Sequence, residues 1–393
     1  MKIGIFTDAY EPHISGVTTS IKMLKTALEK MHHQVYIVTA NLTSNKFIYD
    51  EENKIIYLPG IKTGIYGTKL TGIYSNKAMK IIRNWNLDVI HSQTEFSIGY
   101  FSRIVAKKLN IPVVHTYHTL YEDYVHYVTH GHFNNAAKKL AIKITKYYCE
   151  KHCDELIVPT EKIKELFINK YNIKKNINVI PTGIDIDKFS LNNKMKENIT
   201  KIKAKYHLSD DDFIIGSVGR IAPEKSFDKL ISTMTTLVKE NKNIKLMLVG
   251  GGPDIDNLKE LTKKLNLTNN VIFTDKVLYD QVPSYYNLFN VVASFSKTET
   301  QGLTIIEGLA SSKPTLCIND ESFKATIIPN YNGYLFNSDK EFIDDILKLL
   351  TNKKLYKEMS TNAKNSTYKY SKEVFASDIL KVYHKAIEKK IED

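Results

Sequence analysis

The sequence is short of the features that would settle its class at once. It has three cysteines in 393 residues: Cys149, Cys153 and Cys317. Cys149 and Cys153 fall one helical turn apart with His152 between them, but a zinc site needs two further ligands, and only distant Cys317 and scattered histidines remain. A structural role for the cysteines is expected, and no metal site. No apolar stretch approaches the 18 residues of a membrane-crossing helix. The N-terminal run Met1-Lys2-Ile3-Gly4-Ile5-Phe6 turns polar at Thr7-Asp8, too early for a signal peptide. It reads as a first buried strand, and the compartment expected without a leader is the cytoplasm. The G-x-G-x-x-G fingerprint is missing, which argues against a dinucleotide-dependent dehydrogenase. No helix-turn-helix, RNA-binding or zinc module is present, which argues against a nucleic-acid binder. Low-complexity tracts and short-period repeats are lacking. Arginine is scarce, and lysine supplies nearly all the positive charge.

What is present is enough for two cores. Hydrophobic residues make up 42% of the chain, and the length suggests two domains. The formal charge is +12 and uneven. Residues 1–183 hold 24 Lys+Arg against 15 Asp+Glu, and the rest is close to balanced. A basic half implies an anionic partner, nucleic acid or an anionic lipid surface.

Short apolar runs alternate with helical spacing. Ile3–Phe6, Val35–Val38, Ile55–Leu58, Val89-Ile90, Val113-Val114, Leu156–Val158 and Val179-Ile180 form one set. After a polar stretch, Leu191 to Asp212, the rhythm restarts with Phe213–Val218, Leu246–Val249, Val271–Phe273, Val291–Ala293 and Pro314–Cys317. The acidic run Asp210-Asp211-Asp212 in that stretch reads as solvated loop. The expected fold is α/β, two Rossmann-like parallel-sheet domains facing a central cleft. The domains expected are 1–183, 184–370 and a C-terminal helix over 371–393 that packs back on the first. Open α/β sheets bind ligands at the carboxyl ends of their strands.

Four segments there carry chemistry. The first runs from Asp8 to Val17 after strand one, with Gly16 just ahead of a helix. It is a place for a phosphate at a helix N-terminus, or an ordinary βα loop. The second is Gly219-Arg220-Ile221-Ala222-Pro223-Glu224-Lys225. A guanidinium fork with an ammonium suits a diphosphate, and the alternative is two solvated charges. In the third, Val249-Gly250-Gly251-Gly252-Pro253, the glycines are expected only to turn the chain. The fourth, Ser296 to Ala310, is the most specific. Glu299 sits in a loop and Glu307 inside a helix that opens near Leu303. Between them the N–H groups of Gly302, Leu303 and Thr304 form an anion-binding helix start.

Glu299-x7-Glu307, with Gly219-Arg220, Lys225 and Gly16 upstream, resembles the retaining glycosyltransferase family four of the GT-B fold. His91–Gly99, His115–Tyr124 and Pro181–Asp185 look like the bacterial diacylglycerol α-glucosyltransferases. The resemblance implies a donor site in which Gly16 contacts the diphosphate, and Gly219, Arg220 and Lys225 hold and neutralise it. It implies that Gly302, Leu303 and Thr304 complete the phosphate cradle, that Glu299 holds the transferred sugar, and that Glu307 holds the ribose. His118 would lie beside the donor sugar, so that His118, Glu299, Arg220 and Lys225 form the catalytic group. Glu95, Tyr121 and Tyr124 would line the acceptor side. The implied reaction moves glucose from UDP-glucose to 1,2-diacylglycerol with retention, with no prosthetic group. UDP-galactose as donor, another family-four acceptor (phosphatidylinositol, a polyprenyl lipid, a protein glycan) and a non-catalytic sugar-nucleotide binder stand as alternatives. A lipid acceptor requires a surface. Ala136–Lys151 and Tyr66–Trp85 interleave lysines with apolar residues, which suits an anionic membrane face or, equally, two helices packed on a sheet. The enzyme would then be peripheral on the inner face of the cell membrane.

Overall fold

The structure, a computed structural model, describes residues 1–13, 15–62, 69–120 and 134–392, with side chains in the helix that opens at Asn134 described from Lys138 onward. It divides into two compact units: Met1–Gly183 with Lys372–Asp393, and Ile184–Ser371.

The first unit is built in chain order from β1 (Lys2–Thr7), α1 (Gly16–Lys30), β2 (Gln34–Ala40), β3 (Ile48–Asp50), β4 (Ile55–Leu58), β5 (Gly60–Lys62), β6 (Lys69–Thr71), α2 (Asn76–Trp85), β7 (Val89–Ser92), α3 (Ser97–Leu109), β8 (Val113–Thr116), α4 (Asn134–Lys146), β9 (Glu155–Val158), α5 (Glu161–Asn169) and β10 (Ile177–Val179). Its main sheet has the order β10-β9-β8-β7-β1-β2-β4-β3. All neighbours run parallel except β3, which pairs antiparallel with β4. The near-continuous Val/Ile character of β1, β2 and β7 fits strands covered on both faces. β1 lies between β2 and β7, so the strand order reverses there.

The second unit contains α6 (Asn193–Lys205), β11 (Phe213–Val218), α7 (Phe227–Glu240), β12 (Ile244–Val249), α8 (Ile255–Lys264), β13 (Val271–Phe273), α9 (Val282–Leu288), β14 (Val291–Ser294), α10 (Leu303–Ala310), β15 (Thr315–Ile318), α11 (Glu321–Lys324), β16 (Gly333–Phe336), α12 (Asp339–Thr351) and α13 (Lys353–Asn365). Six parallel strands follow the order β13-β12-β11-β14-β15-β16, with the reversal between β11 and β14. The polar stretch after Leu191 is helical rather than irregular. Asn192 accepts the Met195 N–H at 2.9 Å to cap α6, and Met195 and Ile202 are buried. Two apolar contacts over three turns suffice when a cap fixes the start.

A last helix, α14 (Lys372–Glu392), belongs to the first unit. Phe375, Ala376, Ile379, Val382, Tyr383 and Ala386 recur at helical spacing and pack in one cluster with Ile3, Ile5, Val89, Val114 and Ile157 of the sheet. Polar contacts fix the register. The Tyr383 hydroxyl lies 2.7 Å from Nδ1 of His91, and Nε2 of His91 lies 2.7 Å from the Thr116 hydroxyl. Burial holds His91 well below the usual imidazole range, so it stays neutral. Glu155 on β9, nearly inaccessible, takes the ammonium groups of Lys385, at 3.0 Å, and Lys389, and the Asn178 amide at 2.9 Å. Burial pushes its carboxyl upward, and Lys389, Asn178 and Lys385 together outweigh that and hold it below the ordinary value.

Replacing both lysines (Lys385→Met/Lys389→Met) strands this carboxylate. The expected cost is about 2 kcal/mol, below the ~3–5 kcal/mol of fully buried pairs because both lysines are part exposed. Chemical denaturation measures it. Because the Glu155 pKa is depressed, the contribution is present above the normal carboxylate range and lost as pH falls through the lowered value. A wild-type and double-variant stability difference that does not shrink on acidification would exclude this pair as its source.

Candidate active site

In each sheet the carboxyl ends at the order reversal are left uncovered, because the connections on either side go to opposite faces. The residues singled out from the sequence gather at these two places.

In the second unit, β11 ends at Val218 and hands over to Gly219-Arg220, and the turn Pro223–Lys225 leads into α7. Lys225 is ion-paired with Glu299, which follows β14. Arg220 Nη2 lies 3.9 Å from Oε1 of Glu224, a carboxylate the motif reading had passed over. The Gly250–Gly252 turn has a structural reason. A Cβ on Gly250 would stand 1.9 Å from the Gly219 carbonyl oxygen, so the turn can lie against the Gly219–Ile221 backbone. Ile221 N–H donates to the Gly251 carbonyl at 3.1 Å.

Gly302 is the N-cap of α10, with φ 77°, a left-handed geometry that glycine takes without strain. A Cβ there would also come 2.6 Å from the Phe323 ring. Gly302 has no side chain with which to cap this terminus. The first N–H groups of a helix have no partner within it, so those of Leu303 and Thr304 suit an anion.

Glu307, one turn further, points inward. It is buried, and its Oε2 lies 2.9 Å from the Tyr286 hydroxyl, which is also 2.9 Å from the Thr304 carbonyl. Burial raises the Glu307 carboxyl to about 7, with Tyr286 and Lys188 pulling the other way. Near neutrality this carboxyl can therefore accept from two hydroxyls or, protonated, donate to one. Tyr286 sits 21 residues upstream on another helix, and no local spacing announces it.

In the first unit, Asp8 follows β1 and is buried at the start of α3. Its carboxylate accepts from the hydroxyls of Thr94 (2.6 Å) and Ser97 (2.8 Å) and from the Ile98 N–H (3.0 Å). Burial raises its pKa despite these donors. It joins β1 to the turn after β7, a role the sequence reading did not give it. Helix α1 opens at Gly16 itself, with Ser15 as N-cap accepting the Thr18 N–H at 3.2 Å.

His118 lies just past β8, and its Nε2 is 2.5 Å from Oε1 of Gln93 at the end of β7. Burial, with His115 nearby, pushes His118 down to about 3. The neutral ring donates through Nε2 to Gln93 and keeps Nδ1 as an acceptor. Glu95 is turned inward. Its Oε1 lies 2.8 Å from Nε2 of fully buried His115, whose Nδ1 faces the Ser92 carbonyl at 3.0 Å. Two acceptors thus face one ring, and a proton lies between His115 and Glu95. Tyr121 and Tyr124 fall outside the described residues.

The two basic segments differ. In α2, Met79, Ile82 and Trp85 are buried against the sheet, and Lys69 upstream is buried with its ammonium on the Ser44 carbonyl at 2.8 Å. This helix is an ordinary packed one. In α4 and the π-helical turn after it (Tyr147–Lys151), Leu140, Ile144 and Tyr147 stand 58%, 41% and 41% exposed in a stripe at helical spacing. Lys138, Lys139, Lys143 and Lys151 are exposed around it. Among the described residues no helix is long and apolar enough to cross a membrane. Cys149 and Cys153 are buried beneath the turn, Cys153 Sγ lying 3.1 Å from the Cys149 carbonyl, and burial raises both thiols.

Comparison with known proteins is consistent with this arrangement. Residues 14–188 match the model of Glycosyltransferase Family 4, and residues 198–366 that of Glycosyl transferases group 1. The chain is 36% identical to the alpha-monoglucosyldiacylglycerol synthase of Acholeplasma laidlawii, over 99% of this chain and 98% of the relative. It is 35% identical to the protein of the same name in Streptococcus pneumoniae, over 89% and 78%. Among solved structures, Anabaena HepE in complex with UDP-glucose superposes with a TM-score of 0.74 at 16% identity, covering 98% of this chain and all of that one. Sucrose-phosphate synthase of Thermosynechococcus elongatus superposes with a TM-score of 0.77 at 18% identity, covering 98% of each chain. The fold is shared with these, and with both family models matched and 36% identity to a relative sustained over 99% of the chain, the protein belongs to the family-four glycosyltransferases of the GT-B fold.

Proposed function

We propose that the protein transfers glucose from UDP-glucose to 1,2-diacylglycerol with retention, giving α-monoglucosyldiacylglycerol at the inner face of the cell membrane. The observation that carries this is the 36% identity to a synthase of that product, end to end. The exposed Leu140–Ile144–Tyr147 stripe among lysines supports a lipid surface as the place of work.

The second unit (184–370) takes the nucleotide sugar. The turn at Gly219, the cations Arg220 and Lys225, and the N–H groups of Gly302, Leu303 and Thr304 bind the diphosphate. Glu307 accepts the ribose hydroxyls. Glu299 orients the transferred sugar, and its pairing with Lys225 couples that position to the phosphate charge. The neutral imidazole of His118 offers Nδ1 to a sugar hydroxyl. The first unit (1–183), with the helix from 371 onward, faces the lipid. Glu95 acts on the acceptor side through His115.

In the reaction the acceptor hydroxyl attacks the anomeric carbon from the leaving-group face. The new C–O bond forms as the bond to the diphosphate breaks, and a phosphate oxygen takes the hydroxyl proton. Charge accumulates on the diphosphate, so Arg220, Lys225 and the α10 N-terminus supply most of the stabilisation. No step calls on a prosthetic group.

Purified protein incubated with dioleoylglycerol in anionic vesicles and labelled UDP-glucose should yield labelled monoglucosyl-diacylglycerol. Label entering the lipid only from UDP-galactose would change the donor, and UDP release with no lipid product would remove diacylglycerol as the acceptor. Glu299→Ala should keep UDP affinity within a few-fold and cut transfer by about 10²–10³, the scale of losing a transition-state contact. Transfer within a few-fold of the parent would remove Glu299 from the sugar site. Glu307 gives a pH signature. As a carboxylate it accepts ribose hydroxyls, so affinity for UDP-glucose, whose phosphates do not titrate near neutrality, should rise between pH 6 and 8. Glu307→Gln should flatten that rise. A calorimetric titration in which both proteins show the same pH slope would take Glu307 out of the ribose contact.

A further inference from the structure

A second cationic cavity lies in the first unit, at the other end of the sheet from the candidate active site. Gln93 and His118 follow the carboxyl ends of β7 and β8. This cavity is lined by Val113, the first residue of β8, and by Asp154, immediately before β9. Its volume is about 430 Å³. That is within the range of small-ligand sites.

Its walls carry an unbalanced charge. Arg103 and Lys107 come from α3, Lys151 from the π-helical turn, and Lys390 from α14. Asp154 is the lone carboxylate on the lining, and its Oδ2 is taken by the Val113 N–H at 2.6 Å. Nearby lysines are paired, Lys146 with Glu150, and Lys385 and Lys389 with Glu155. Lys107, Lys151 and Lys390 form no ion pair among the described residues.

Arg103 is only partly satisfied. Its Nε donates to the His152 carbonyl at 3.0 Å, and its Nη1 lies against the Ser92 hydroxyl, the Gly99 carbonyl at 2.9 Å and the Ser102 hydroxyl at 3.1 Å. Its Nη2 is buried without a hydrogen-bond partner. That nitrogen has almost no accessible surface, so Arg103 acts on the cavity through its charge and not through a hydrogen bond. His152 senses the same field. Burial lowers its pKa, and Arg103, Lys151 and Lys175 add to that.

Tyr147 belongs both to the cavity wall and to the exposed apolar stripe with Leu140 and Ile144. A molecule with its anion in the cavity could lay an alkyl chain along that stripe. The geometry points to a phosphate-ester site here: the cavity takes the phosphate group of an anionic glycerophospholipid headgroup, held by Lys107, Lys151 and Lys390, with the Arg103 guanidinium in the wall behind them adding to the positive field. The membrane part of the function proposed above is thereby made specific, a docking site of one lipid per protein in addition to diffuse attraction. The proposal rests on that membrane part only.

The test uses the full chain without sugar donor or diacylglycerol, so a failure of glucosyl transfer leaves its reading intact. Dihexanoyl-phosphatidylglycerol, kept below its micelle concentration, is titrated calorimetrically. Saturable binding at one lipid per chain is expected. It should weaken tenfold or more in Lys107→Ser/Lys151→Ser and stay unchanged in Lys138→Ser/Lys139→Ser, which removes equal charge from exposed positions outside the cavity. Thermal melting of both variants guards against misfolding, and Lys390→Ser, on a different element, should weaken binding in the same direction. Competition by millimolar inorganic phosphate is expected, since the phosphate group is what is held. Phosphate binding without lipid binding would overturn the lipid source and leave a free-phosphate site. Equal loss in the two double variants, or no saturation, would overturn the site altogether.

Discussion

Parallel strands leave their carboxyl ends bare wherever the chain reverses the direction in which it adds strands, and this constraint organises both units. Between β1 and β7, and again between β11 and β14, the connecting segments depart to opposite faces. Among the described residues no helix covers the crevice, so backbone N–H groups and glycine turns remain open to a ligand. Everything singled out as chemistry (Asp8, Gln93 and His118 in one unit; Gly219, Arg220, Lys225, Glu299 and Gly302 in the other) lies on the loops that leave these two places. The helices and the buried Val/Ile strands exist, energetically, to hold those loops still.

Charge at the second-unit site is arranged in opposed pairs. Lys225 meets Glu299, and Arg220 stands near Glu224. Two cations brought together for a diphosphate repel one another before it arrives, and the neighbouring carboxylates offset that cost. Glu307 follows a different logic. Its burial outweighs the pull of Lys188 and its proton affinity rises, so it is suited to neutral hydroxyl groups rather than to phosphate. The fold thus separates two carboxylates eight residues apart by environment alone.

The strands and the Ser296–Ala310 segment were legible because their signals are local: a short apolar run, a glycine before a helix, a fixed spacing between two glutamates. Helix α6 was not, because a polar stretch with two buried side chains gives almost no periodic signal and its cap is one asparagine. Periodicity marked α2 and α4 alike as amphipathic. It could not say that the sheet covers one and leaves the Leu140–Tyr147 stripe of the other bare. The partners of buried ionisable groups were equally hidden. Glu155 meets lysines 230 and 234 residues away, and nothing in either neighbourhood encodes the meeting. The triple glycine at 250–252 was read correctly as turn chemistry, but its reason, contact with another backbone, appears only in three dimensions.

The return of α14 to the first sheet also sets an order of synthesis. The whole second unit is inserted between Gly183 and Lys372 of the first. On the ribosome the second unit can finish folding while the first still exposes the apolar face formed by Ile3, Ile5, Val89, Val114 and Ile157, with Glu155 uncompensated beside it. The first-made half is therefore the last to mature. For that interval the nascent chain presents an open hydrophobic groove shaped for a helix, a natural handle for a chaperone.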